Sequence, residues 1–148
     1  MPVSHVVDND LELLVVRISG RVSEDQVTTA IARMSGEVNH VGAYRSLVIF
    51  ERQADLSDLD TNALAAIRTA MKAFYRRLKL RRRAGAAVVD SSHDAKMILP
   101  LWNAICKTDR ELDLHYTLFD EAGPALVWLG IPGDSGTAVV SQTEHPSR

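Results

Sequence analysis

Asp90, Ser91, Ser92, His93 and Asp94 stand together directly after the apolar run Ala84–Val89. Two hydroxyls, an imidazole and two carboxylates are the residue types of a nucleophile or acid–base site, and open α/β sheets place ligands at strand ends of this kind. The same residues also suit a helix start, with Ser91 or Ser92 as N-cap and Asp94 favoured by the helix dipole. The capping reading carries more weight. No glycine-flanked serine elbow is present, and adjacency in sequence does not make a Ser-His-acid relay. No residue is assigned as catalytic. Ser91, Ser92 and His93 are kept as ligand-binding candidates, and a small hydrolase built on them is the weakest reading.

The densest charge is the run Arg76, Arg77, Lys79, Arg81, Arg82 and Arg83. Cations at a helix end satisfy its last carbonyls, and such runs are usually solvated. The functional reading makes these six residues an anionic-surface site, for a lipid headgroup or a protein partner. Nucleic acid is not expected as a partner: net charge is −2, and none of the two tryptophans, three tyrosines and three phenylalanines interleaves with the run as a stacking platform would. His5, His40, His93, His115 and His145 are scattered without the i, i+4 spacing of a helical metal site. A single cysteine, Cys106, gives neither an internal disulfide nor a cysteine-rich metal site, and its apolar surroundings mark it as a buried small hydrophobe. Neither metal nor cofactor is expected.

The elements that must position these groups centre on residues 45–90. Ser46-Leu-Val-Ile-Phe50 is continuously apolar, as a strand covered on both faces reads, and Ala84–Val89 is a second buried strand of small residues against which helices can pack closely. Between them Leu64, Ile67, Met71, Phe74 and Leu78 recur at steps of three and four, which predicts an amphipathic helix of about five turns. Strand, crossover helix and strand make a parallel βαβ unit.

Upstream, Asp8-Asn-Asp10 marks a turn, Leu11–Ser19 reads as one strand or as the second arm of a hairpin with Ser4–Val7, and Ser23-Glu-Asp-Gln26 is a capping box. The helix it opens has Val27, Ala30, Ile31 and Met34 on its apolar side and Gly36 as its stop. Downstream, Met97, Ile98, Leu101, Trp102 and Ile105 carry helical spacing with Pro100 as a bend or break, Leu114–Phe119 reads as a strand, and Asp120 is placed to cap a last helix through Trp128. Phe74 and Trp102 are candidates to line a ligand pocket between helices and sheet.

With 148 residues and 46% hydrophobic content the chain reads as one domain. Its expected class is α/β: a single-domain layered fold with a mixed, mainly parallel sheet of about four to five strands and about four helices. The domain is expected over residues 1–131, and the Gly-, Ser- and Pro-rich residues 132–148 as a flexible tail. No signal peptide and no apolar run of about 18 residues is present, so a cytoplasmic location without a transmembrane segment is expected.

The strand–helix order from Leu11 to Leu129, the Ala84–Asp90 strand and the ending Tyr116-Thr-Leu-Phe119-Asp-Glu-Ala-Gly-Pro-Ala125-Leu-Val-Trp128-Leu129 resemble the SpoIIAA-like family of the STAS superfold. STAS proteins are anti-sigma-factor antagonists and transporter modules, and the fold is similar to lipid-carrying CRAL-TRIO domains. The resemblance implies a non-enzymatic module, a homodimer, that binds a small apolar or anionic ligand or a protein partner. Regulatory members carry a phosphorylated serine in an aspartate-serine-serine-glycine type motif at the start of the helix after the central strand. The matching region here, Phe50–Thr61, lacks that motif, and Ser57 and Thr61 are the hydroxyls nearest by position. They are the phosphoacceptor candidates of the alternative reading, a phosphorylation-controlled switch of the anti-sigma-antagonist kind.

Overall fold

A computed structural model describes residues 2–79, 84–89, 92–112 and 114–144. The chain opens with a hairpin, β1 (Val3–Asp8) and β2 (Leu13–Ile18), antiparallel with Val3 opposite Ile18. The turn between them is made by its own residues, since Leu11 N–H donates to Asp8 Oδ1 at 2.9 Å. Then come α1 (Glu24–Glu37), β3 (Arg45–Phe50), α2 (Thr61–Leu78), β4 (Ala84–Val88), α3 (His93–Lys107), β5 (His115–Phe119), α4 (Ala122–Leu129) and α5 (Gly133–Glu144). The five strands lie in sequence order, β1-β2-β3-β4-β5, and every pair after the hairpin is parallel. This is the mixed, mainly parallel α/β sheet expected of the sequence.

Alternation along the strands sorts the core into two layers. Leu14 and Ile18 join the side chains of α1, α2 and α3, while Leu13 and Val15 join those of α4 and α5. Three helices therefore cover one face and two the other.

The capping box of α1 is formed in both directions: Gln26 N–H donates to Ser23 Oγ at 3.3 Å, and Ser23 N–H to Gln26 Oε1 at 2.8 Å. That helix runs past Gly36 to Glu37. Asp60 caps α2, accepting from Ala63 N–H at 2.8 Å, and Leu64, Ile67 and Phe74 are buried as the spacing requires. Pro100 lies within α3, which continues through it.

Three expectations are corrected. Met97 and Leu101 do not face the core; α3 buries Ala95, Leu99, Trp102 and Cys106, a stripe rotated from the one read off the sequence because β5 lies on that side. Asp120 does not cap α4: Glu121 is the N-cap, and its side chain makes no capping bond. Residues 133–144 are not a loose tail but α5, which buries Val139, Val140 and Thr143 against β1 and β2. Gly136 sits so close to α4 and its exit that a Cβ would lie 2.9 Å from Leu126 and Ile131.

Candidate functional site

Helix α2 packs unlike the others. Helices α1, α3, α4 and α5 approach strands directly, whereas α2 comes closer to the backbone of α1 than to any strand. Leu64, Ile67, Met71 and Phe74 hold α2 off the sheet, and a cavity of about 140 Å³ remains beneath it. Met71, Phe74 and Trp102 form part of its roof, and Val16 and Val48 part of its floor. Both valines stay partly exposed although they lie on inner strands, so the space reaches solvent. Among the described residues no charged side chain lines it; the polar residues that do are Ser46, Tyr75, Tyr116 and Trp102.

Ser46 and Tyr116 meet across an intervening strand. Ser46 on β3 is in register with Gly85 on β4, and Gly85 with Tyr116 on β5. The Tyr116 ring lies over Gly85, where a Cβ would come 2.6 Å from its Cδ1, and its hydroxyl reaches Ser46 Oγ at 3.5 Å. Glycine in that strand position is the condition for the crossing. Burial pushes the Tyr116 phenol up to about 12, against the opposing hydrogen bond from Ser46, so the group is a neutral hydroxyl at any ordinary pH. The backbone beneath it is pinned as well: Asn103 Nδ2 donates to Tyr116 O, and Tyr116 N–H donates to Asn103 Oδ1, both at 2.9 Å. A carboxamide on α3 thus pairs with edge strand β5 as a neighbouring strand would.

The candidates named from sequence scatter. Phe74 and Trp102 line the cavity. Ser92 is fully buried as the N-cap of α3, accepting from Ala95 N–H at 3.3 Å, while His93 beside it is exposed. Asp94 Oδ2 accepts from Leu56 N–H at 2.9 Å, which ties α3 to the acidic loop after β3. Ser91 and Asp90 lie outside the described residues. Ser57 is exposed, and its hydroxyl donates to Asp55 Oδ1; that bond holds the Asp55 carboxyl below its usual range. Thr61 is exposed at the first residue of α2.

Of the basic run, Arg76 bonds Glu111 through its Nε at 2.7 Å, Arg77 donates to Ser35 Oγ at 3.2 Å, and Lys79 closes α2 in the left-handed region with φ of 53°. Arg81, Arg82 and Arg83 lie outside the described residues, as does His145. Lys72 bridges Asp109 at 3.0 Å and Glu111 at 3.4 Å, so the middle of α2 is neutralised by the loop after α3. Cys106 is buried, and burial pushes its thiol up to about 12. Among the described residues no group of three or more His, Cys, Asp or Glu side chains is placed to hold a metal, and no helix is long and apolar enough to cross a membrane.

Ser46, Gly85, Asn103 and Tyr116 had no place among the sequence candidates. The signals available were a lone serine in an apolar strand and a glycine inside a strand, which marks close approach of another group. Neither says what approaches. In comparisons with known proteins, the chain matches no protein-family model and no curated protein.

Proposed function

We propose that this protein is a non-enzymatic, STAS-like binding module whose ligand is a small, uncharged, apolar molecule held between the sheet and α1–α3. The observation that carries it is the cavity of about 140 Å³ without a charged side chain. Dry apolar cavities of about 150 Å³ take up molecules of benzene size. Of the two ligand classes the resemblance implies, the anionic one has no cation to meet it among the described lining residues, and burying an unpaired charge is costly. Ser92 and His93 give no competing chemistry, because one is spent as a buried cap and the other faces solvent.

Native mass spectrometry beside the denatured mass tests the reading. The expected result is a low-mass adduct lost on denaturation, or an apo protein that takes up benzene or toluene and gains thermal stability. A protein that carries no adduct and is not stabilised by either probe refutes it. The same spectrum reads subunit number. A homodimer or protein partner is the companion proposal, and it is supported by Met97, Val127 and Trp128, which are 68%, 75% and 47% exposed on α3 and α4.

A further inference from the structure

We propose that the Ser46–Tyr116 hydroxyl pair is the recognition element of this cavity, and that the ligand is an uncharged ring of about benzene size bearing one oxygen function, a phenol or cyclic ketone in class. The proposal rests on the apolar-ligand reading above and adds a polar requirement to it.

A hydroxyl has one O–H to donate and two lone pairs to accept with. The two groups are bonded to each other at 3.5 Å, a distance at the long limit for a hydrogen bond. That bond uses one of the two O–H groups. Either hydroxyl can be the donor, and whichever O–H is left over, on Tyr116 at 6% exposure or on the partly buried Ser46, has no acceptor among the described residues. An unmatched donor at the wall of an apolar cavity is what a ligand oxygen satisfies.

The pair is also held in place before any ligand arrives. Asn103 fixes the Tyr116 backbone through two bonds, and Gly85 fixes the path of the ring by leaving only enough room for it. Preorganised donors lower the ordering cost of binding. Size fits the same class, since about 140 Å³ matches a single ring.

The test compares toluene with p-cresol, which share a shape and differ by one hydroxyl, by calorimetric titration of the full-length protein, Tyr116→Phe and Ser46→Ala. Phenylalanine keeps the ring over Gly85, and a thermal melt of each variant checks folding. In wild type, p-cresol is expected to bind at least as tightly as toluene. Tyr116→Phe is expected to leave toluene unchanged and weaken p-cresol about tenfold, with a loss in the same direction for Ser46→Ala. If p-cresol is unaffected in both variants while toluene still binds, the hydroxyl pair is not the recognition element. A preference that survives Tyr116→Phe and is lost in Trp102→Phe overturns it in favour of the indole. If neither probe binds wild type, the cavity reading fails, and this proposal fails with it.

Discussion

Gly85 is the residue on which the site turns. Its missing side chain lets Tyr116 cross β4, so Gly85→Ala places a methyl 2.6 Å from the ring Cδ1 and 3.3 Å from Ser46 O. Overpacking of this kind costs about 1–3 kcal/mol, and a urea titration is expected to show a lower midpoint with an unchanged slope. Cys106 makes the opposite argument, that a reactive group can be present and silent. Burial pushes its thiol up to about 12, so an alkylating reagent at pH 8 is expected to leave the native protein unlabelled and to label it readily in urea. Rapid native labelling would show that α3 opens locally. Ser57 belongs with these residues: its hydroxyl already serves Asp55, and a phosphate there would meet Asp55 and Asp58.

Edges and covers decide stability among the elements. β5 is an edge strand whose outward backbone groups at Tyr116 are taken by Asn103, so Asn103→Leu leaves an N–H and a C=O unpaired. A cost of about 1–3 kcal/mol follows, and hydrogen exchange at the Tyr116 amide is expected to accelerate while amides of β3 keep their protection. On the other face, α5 covers Leu13 and Val15 of β2. Ending the chain at Pro132 is expected to create a dye-binding apolar surface and lower the urea midpoint; a truncated protein with wild-type stability would make α5 dispensable. The composition of residues 133–144 hid this helix. Glycines, serines and threonines dominate it, yet its buried positions 136, 139, 140 and 143 follow helical spacing. Few of them are large, because the sheet lies close beneath.

For the molecule as a whole, carboxylates set the acid limit. The carboxyls of Asp58 beside Arg21, Asp109 beside Lys72 and Glu111 beside Arg76 all lie below their usual range, as does Asp55 beside Ser57. A carboxyl whose folded pKa is depressed adds stability above its unfolded pKa and loses it as pH falls through the folded one. The urea midpoint is therefore expected to hold from neutrality to about pH 5 and to fall below about pH 4, less steeply where salt screens these exposed pairs. A midpoint flat to pH 3 would show that the pairs contribute nothing. The distribution of charge is the wider point: Lys72 and Arg76 on α2 are matched by the Asp109–Glu111 loop, so the helix whose inner side roofs the cavity carries paired charges outside.

Strand identity, helix periodicity, the capping box and the mixed sheet were legible in the sequence because each is a local consequence of side-chain type and spacing. Leu47 and Ile49 had to be buried and Ser23 had to cap, whatever lay elsewhere. The inward turn of Phe74 was legible for the same reason, whereas the stripe read for α3 held at Trp102 and failed at Met97 and Leu101. The meeting of Ser46, Gly85 and Tyr116 was not legible, because it depends on the register of three strands separated by two crossover helices. Nor was the gap beneath α2, which arises from how far bulky side chains lift a helix off a sheet. Local physics chose the elements; only their packing made a cavity and put two hydroxyls at its wall.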